Sequence, residues 1–319
     1  MLSNIQRTSF SDFVLESINP SPPLHPAIRD AAANGELVLF VGAGISRLVG
    51  CPDWSGFAGR VLDQLVAKEC IDHFELSQIR DVGDPKKQLS LAKIVAQERK
   101  VTIDFKDALT RRGGANCSIY DSLNRFDCPF VTTNYDKLLV PEKRQSEPES
   151  NWRVFKRDQL VGAKADVAGN VIHLHGCVDD PSEMIVTTRE YLEHYSLPQV
   201  QLFLRSLFER KTVLFLGYGL EELEVLEYAL RRGGADGSQS KSSIRRFVLQ
   251  GFFNADAGLA DMLDKYYKEA FETQLIRFPK DKEGYARQAV IIRDWLAQLE
   301  FGGNLLTANA LELEREING

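Results

Sequence analysis

The chain has 319 residues, of which 44% are hydrophobic and 26% are charged, a composition typical of folded globular proteins rather than of disordered chains. Lys and Arg number 39 against 45 Asp and Glu, and the formal net charge of −6 argues against direct nucleic-acid binding, because affinity for phosphate backbones requires clustered cations. No apolar run approaches the roughly 18 residues of a membrane span, and the first residues lack the features of a secretory signal. The five cysteines are scattered and include no C-x-x-C pair, so we expect neither a disulfide framework nor a structural metal site. These features predict a cytoplasmic protein without membrane contact.

Strands and helices are predicted to alternate along most of the chain. Continuous apolar runs, typical of strands buried on both faces, and other strand-like segments cover residues 37–41, 130–133, 171–175, 212–216, 246–252 and 274–278. Apolar residues at helical spacing predict helices over residues 26–33, 55–67 with Ser55 as N-cap, 198–210, 220–230, 256–270 and 282–299. The alternation predicts an α/β fold with a doubly wound, mostly parallel, Rossmann-like sheet.

Three segments differ from this alternating pattern. Residues 1–34 are predicted to be a lead-in with one short helix. Residues from about 70 to 128 have little strand character and are predicted to be a helical insertion. We expect the tail, residues 301–319, to contact another chain.

Two predicted strands end in glycine-rich turns. The motif Gly42-Ala43-Gly44-Ile45-Ser46 follows the first strand, and Gly217-Tyr218-Gly219 follows the fourth. Glycines in this position allow a phosphate to approach the backbone and the N-terminus of the next helix. Two such turns in one sheet suggest a long ligand such as a dinucleotide. The full G-x-G-x-x-G pattern fails at Arg47, and a tight strand-to-helix turn explains the first motif equally well.

Polar residues follow two other predicted strands. The second strand ends in Thr132-Thr133-Asn134-Tyr135-Asp136, and the third in His173-Leu174-His175. Ligands of doubly wound sheets lie beyond the carboxyl ends of the strands. Asn134 and Asp136 can therefore bind a ribose or an amide or position a water, although Asn and Asp also cap ordinary turns. His175 is a candidate general base, and no third ligand accompanies the two histidines, so we expect no metal.

The motifs G-A-G-I-S, P-D-W, T-T-N-Y-D, L-H-G and L-G-Y-G, in this order, resemble the sirtuin fold over roughly residues 25–300. The resemblance is closest to the sirtuin-like domains of bacterial antiphage defence systems. It implies an NAD-binding domain over residues 35–300.

The resemblance also implies a role for each matching residue. The catalytic residues would be Asn134, which contacts the ribose and the reacting water, Asp136 near the nicotinamide carboxamide, and His175. Residues that would bind NAD around its phosphates, the nicotinamide and the adenosine are Gly42, Ala43, Gly44, Ile45, Ser46, Asp53, Trp54, Thr133, Gly217 and Tyr218.

Departures from the sirtuin pattern narrow the implied activity. Sirtuin deacylases carry four zinc cysteines after the His-Gly pair, whereas Cys177 stands alone here, and Ser55 replaces the arginine of their P-D-F-R motif. Because the zinc module helps form the acyl-lysine cleft, water becomes the available nucleophile. The resemblance then implies NAD⁺ hydrolysis to ADP-ribose and nicotinamide, with NAD as substrate and no metal. The alternatives are a non-catalytic NAD or ADP-ribose-binding module, a zinc-free NAD-dependent deacylase and an ADP-ribosyltransferase.

By the same resemblance, the chain would be the effector of an abortive-infection defence system. We expect a homo-oligomer and an activating protein partner, with an ATPase translocase, a short Argonaute and a phage protein as candidates. Other polar and aromatic residues have simpler interpretations. Glu222 is predicted to lie on a solvated helix face, and Tyr191 and Tyr195 are predicted to be packing or interface residues.

Overall fold

A computed structural model describes residues 18–112, 118–220, 222–223 and 244–301. One sheet of seven parallel strands has the order β3–β4–β2–β1–β5–β6–β7. The strands are Leu37–Val41 (β1), Phe130–Thr132 (β2), Arg153–Val154 (β3), Val171–His173 (β4), Thr212–Leu216 (β5), Arg246–Phe252 (β6) and Thr273–Pro279 (β7). The predicted α/β fold with a parallel sheet is confirmed. The edge strand β3 was not predicted.

Helices cover both faces of the sheet. In the described ranges they are Pro26–Ala33 (α1), Ala43–Leu48 (α2), Trp54–Ala67 (α3), His73–Asp81 (α4), Pro85–Glu98 (α5), Phe105–Leu109 (α6), Ser118–Leu123 (α7), Glu149–Trp152 (α8), Thr188–Ser196 (α9), Pro198–Arg210 (α10) and Ala257–Phe271 (α11), and residues 287–301 are also helical. Most of the predicted helix 220–230 and of the tail 301–319 lies outside the described residues.

Strand β1 is the centre of the core. All five of its residues are buried, because successive side chains point to opposite, covered faces. Leu39 belongs to one apolar cluster with α1, α7 and helix 287–301, whereas Phe40 belongs to a second cluster with α10 and α11. The uninterrupted apolar run that predicted this strand follows from burial on both faces.

Helices α3 to α6 share a separate apolar core. Phe57, Leu62 and Leu89 are buried in it, and Tyr135 joins it from the chain directly after β2. The helical core therefore contacts the sheet at the carboxyl ends of the strands. No helix among the residues that the structure describes is both long and apolar enough to cross a membrane.

Helix α3 begins one residue before its predicted N-cap. The side chain of Asp53 accepts a hydrogen bond from the Gly56 amide at 2.8 Å, so Asp53 caps a helix that starts at Trp54. The prediction of Ser55 as cap was wrong. Both residue types cap helices well, and the local pattern alone does not choose between them.

The chain changes direction across the sheet at β1. Strand β2 lies on one side of β1, and β5 lies on the other. The connections leaving β1 and β5 diverge there, and such a switch point opens a crevice beyond the carboxyl ends of the strands. The sheet topology thus brings the polar residues after β2 and β4 to the glycine turns after β1 and β5.

The two glycine turns pack directly on each other. The Gly42 amide donates to the Leu216 carbonyl, and the Gly44 amide donates to the Gly217 carbonyl, both at 2.9 Å. Gly217 has φ +61°, and a Cβ atom there would lie 2.4 Å from the Ile45 nitrogen. A Cβ at Gly42 would lie 2.6 Å from the Gly217 oxygen. Contact between the two backbones therefore requires these glycines, as the tight-turn interpretation of the first motif predicts.

We predict that Gly217→Ala lowers the free energy of unfolding by about 1–3 kcal/mol, because it adds left-handed strain and a backbone clash. Equilibrium urea denaturation measures the change. Gly258→Ala in α11 is the matched control, since a Cβ there meets nothing within 4 Å and alanine is favoured in helices by up to about 1 kcal/mol. Equal effects of the two substitutions would contradict the packing argument.

Candidate functional site

A cavity opens at the switch point of the sheet, beside the helical core. It encloses about 730 Å³ including its open mouth. The predicted site residues that line it are Ala43, Ser46, Asp53, Trp54, Thr133, Asn134, Asp136, His175 and Tyr218. Gly42, Gly44, Ile45 and Gly217 are not among its lining residues and belong to the packed turns.

Several residues that line the cavity were not predicted to do so. They are Cys51, Pro52, Phe57, Lys86, Leu109, Tyr135, Tyr191, Tyr195 and Glu222. Glu222, predicted to lie on a solvated helix face, is half-buried and lines the cavity. Tyr191 and Tyr195, predicted to be packing or interface residues, do pack in the apolar core and also line the cavity. The two tyrosines lie four residues apart on α9, so they share a helix face. That spacing shows only that the two rings share a face of α9, and the surface that this face meets depends on how the helix packs.

The Ser46 hydroxyl connects three of the surrounding side chains. It accepts a hydrogen bond from Asn134 Nδ2 at 2.7 Å and donates to Asp136 Oδ2 at 2.6 Å. A serine has one hydroxyl proton, so the Tyr120 hydroxyl, 2.9 Å away, must donate to Ser46. The network joins α2 and α7 to the end of β2 and fixes the orientation of Asn134 and Asp136.

Asn134 presents an unpaired acceptor in this network. Its Nδ2 also donates to the Gly42 carbonyl at 3.1 Å. Because a carbonyl only accepts, the amide cannot be turned around. The opposite atom, Oδ1, is buried without a hydrogen-bond partner in the described part of the chain. An unpaired buried acceptor costs about 1–3 kcal/mol, and a ligand that donates to Oδ1 would remove this cost.

Asp136 lies next to this amide and has a shifted pKa. Burial raises the pKa of its carboxyl group, and hydrogen bonds from Ser46 and the Leu138 amide oppose the shift. A carboxyl group with a raised pKa in a cleft is more typical of a functional site than of an ordinary turn.

His175 is held between two tyrosines. Its Nε2 lies 2.7 Å from the Tyr195 hydroxyl, and its Nδ1 lies 3.2 Å from the Tyr191 hydroxyl. The residue is 3% exposed, and burial, together with the charges of His194 and Lys86, lowers its pKa well below 6.5. His175 is therefore neutral at physiological pH.

The other two buried histidines support the site from behind. His173 Nδ1 donates to the Asn134 carbonyl at 3.0 Å, and His173 does not line the cavity. His194 is fully buried, its ring lies 5.8 Å from that of His175, and neither of its nitrogens has a partner among the described residues. Burial is the main cause that lowers the pKa of His173 to about 3 and that of His194 to about 4.

Lys86 is the one cation among the lining residues that the structure describes. Its Nζ lies 4.2 Å from the ring centroid of Tyr191 and 5.6 Å from that of Trp54, within the range of cation–π contacts. Trp54 also packs edge-on against Tyr135 and Tyr191. In the described ranges, no cluster of three or more His, Cys, Asp or Glu side chains could hold a metal ion.

Comparison with known proteins supports the resemblance. Residues 129–268 match the model of the SIR2-like domain, and the predicted resemblance is confirmed. The matched segment includes Asn134, Asp136, His175 and Tyr218. The first glycine turn, Trp54 and Lys86 lie outside it.

Similar relatives are named for defence and NAD hydrolysis. Defense-associated sirtuin 2 of Bacillus subtilis is 25% identical over 218 residues, which are 62% of this chain and 19% of that protein. NAD(+) hydrolase ThsA of Cytobacillus dafuensis is 28% identical over 232 residues, 69% of this chain and 43% of that protein. NAD(+) hydrolase ThsA of Enterococcus faecium is 35% identical over 97 residues, 29% of this chain and 20% of that protein. The chain thus spans less than half the length of these relatives.

The buried histidines predict a loss of stability in mild acid. The native pKa values of His173 and His194 lie below the unfolded value of about 6.5. At pH values between the native and the unfolded pKa, the unfolded state binds more protons than the native state does. Stability is complete above about pH 6.5 and falls toward lower pH by up to about 1.4 kcal/mol per pH unit for each histidine.

Urea denaturation at several pH values measures this slope. We expect His194→Leu to reduce the slope between pH 6.5 and 5 by up to about 1.4 kcal/mol per pH unit, the contribution of one buried histidine. His73→Gln, at an exposed position, is the control for the loss of a histidine side chain. An unchanged slope in His194→Leu would contradict a neutral, buried His194.

Proposed function

We propose that the chain is an NAD⁺ hydrolase that cleaves the N-glycosidic bond to nicotinamide and releases ADP-ribose. The observation that carries the proposal is the unpaired Oδ1 of Asn134, beside Asp136 and His175 in one cavity. The SIR2-like match over these residues and the relatives named NAD(+) hydrolase support it.

The proposed chemistry requires positioning more than acid catalysis. Nicotinamide leaves from its pyridinium form as a neutral ring, so the leaving group needs no proton. The transition state resembles an oxocarbenium ion, as in glycoside hydrolysis. The enzyme must hold the ribose and one water in line, an arrangement that accounts for a large part of many enzymatic rate accelerations.

The site residues other than His175 receive the following proposed roles on this basis. Asn134 Oδ1 accepts a hydrogen bond from a ribose hydroxyl or from the attacking water. Asp136, held by Ser46, accepts from the nicotinamide carboxamide or stabilises positive charge. Ala43, Ser46, Trp54, Thr133 and Tyr218 form the binding surface. Asp53, engaged as the cap of α3 and 3.7 Å from Arg47, holds the loop before Trp54. Gly42, Gly44, Ile45 and Gly217 support the surface through their packing. NAD is the substrate, and no metal has a role.

We further propose that the hydrolase is an effector of bacterial antiphage defence, a role supported by the name of the Bacillus subtilis relative. Unrestrained hydrolysis would consume the NAD of the host cell. Activity would therefore depend on self-assembly or on an activating protein partner.

One observation favours a second candidate, a module that binds NAD or ADP-ribose without cleaving it. Both ring nitrogens of His175 already contact tyrosine hydroxyls, so neither is free to take a proton from water. Under this alternative, ligand occupancy rather than turnover would be the output of the domain.

A product assay tests the two candidates. We expect the purified chain to convert NAD⁺ into nicotinamide and ADP-ribose, resolved by chromatography, and we expect Asn134→Ala and His175→Ala to lower the rate on the order of 10²-fold or more, because they disturb the positioning of the reactants. Asn19→Ala, at an exposed position outside the cavity, is the control and should retain the full rate.

The same samples distinguish the outcomes. NAD⁺ that is bound but recovered intact, also at protein concentrations that promote assembly, would reject hydrolysis by this chain and favour the binding module. The absence of both binding and turnover would reject both candidates.

A further inference from the structure

One face of α9 engages both ring nitrogens of His175. The hydroxyl of Tyr195 lies 2.7 Å from Nε2, and the hydroxyl of Tyr191 lies 3.2 Å from Nδ1. Both tyrosine rings pack edge-on against the imidazole ring. A neutral imidazole has one N–H donor and one nitrogen acceptor, so one tyrosine donates to His175 and the other accepts from it.

The burial of Tyr195 determines the direction of the two bonds. Tyr195 is 8% exposed, and His175 Nε2 is the hydrogen-bond partner that the described structure gives its hydroxyl. If Tyr195 accepted from Nε2, its own proton would have no acceptor within hydrogen-bond distance among the described residues, which is unfavourable for a buried hydroxyl. Tyr195 therefore donates to Nε2, and the proton of His175 resides on Nδ1.

Tyr191 is then left with a proton to donate. Nδ1–H donates to the Tyr191 oxygen, so the hydroxyl hydrogen of Tyr191 is directed away from His175. Tyr191 is more exposed than Tyr195 and also lines the cavity. Lys86 Nζ lies 4.2 Å from its ring centroid, while burial and the nearby charge of Glu222 raise the pKa of Tyr191, so its hydroxyl keeps its proton. Successive hydrogen bonds in one direction strengthen the last donor.

We propose that Tyr195, His175 and Tyr191 form a directed hydrogen-bond chain whose last member, Tyr191, donates to an oxygen atom of the bound ligand. The identity of that ligand, NAD or ADP-ribose, rests on the proposed function. In this arrangement His175 is a positioning residue that acts through Tyr191, and its Nε2 lone pair is occupied by Tyr195.

The direction of the hydrogen bonds from Tyr195 through His175 to Tyr191 is measurable without any ligand. We expect nitrogen NMR of the full chain with ¹⁵N-labelled histidine, at a pH where His175 is neutral, to show His175 protonated at Nδ1. The spectrum of His175→Gln assigns the signal by its loss. Protonation at Nε2 would overturn the proposal, whatever the activity of the protein.

The ligand contact is measured by calorimetric titration with ADP-ribose, which requires no turnover. Tyr191→Phe keeps the ring and removes only the hydroxyl, so we expect the affinity to fall about 2- to 12-fold, the loss of one hydrogen bond. Tyr266→Phe on α11, at an exposed position, is the matched control and should bind as the wild type does. Equal affinities of Tyr191→Phe and the wild type would overturn the contact.

Failure of the proposed function gives a different result. If the wild-type chain bound neither NAD⁺ nor ADP-ribose, the ligand assignment and the contact with it would be rejected together. The NMR measurement would still accept or reject the hydrogen-bond chain by itself.

Discussion

The single hydroxyl proton of Ser46 determines how the site is organised. That proton goes to Asp136, so Ser46 must accept from both Asn134 and Tyr120. The amide of Asn134 is thereby oriented with its nitrogen toward Ser46 and Gly42, and its oxygen is left without a partner among the residues that the structure describes. A buried acceptor without a hydrogen bond lowers the stability of a folded protein. A ligand that donates a hydrogen bond to this oxygen would remove that cost, so the site favours such a ligand.

The position of Ser46 depends in turn on the contact between the glycine turns. Helix α2 begins directly after Gly42, and Gly42 packs on the backbone of Gly217. The same contact places Tyr218 against Gly42, so the ends of β1 and β5 form one continuous wall. The glycines are explained by this close packing of two backbones. The side chains that reach the cavity from the first turn are those of Ala43 and Ser46.

The sequence predicted the parts of the fold that depend on local pattern. The bounds of β1, β5 and α1 agree with the prediction, because long apolar runs and a glycine or proline mark them clearly. Strand β3 has two residues, too few for any periodicity. Helix α9 was missed because its pattern is weak, with Leu192 68% exposed and polar residues on most other positions.

The sequence likewise predicted some of the site residues and missed others. Asn134, Asp136 and His175 were predicted because the carboxyl ends of parallel strands meet at one edge of a sheet. Lys86 and Tyr191 reach the cavity from α5 and α9, and their arrival depends on how these helices pack. No spacing in the sequence reports that packing. Only the structure therefore reveals that Tyr191 and Tyr195 are the partners of His175. Their contacts with both ring nitrogens oppose a role of His175 as a free base.

A crystal structure of the chain with ADP-ribose tests the central claim most directly. We predict that the ligand lies in the cavity at the switch point, with one of its hydroxyl groups, or a water bound to it, within about 3.2 Å of Asn134 Oδ1. A ligand bound elsewhere, or an Oδ1 that remains without a donor in the occupied site, would contradict it.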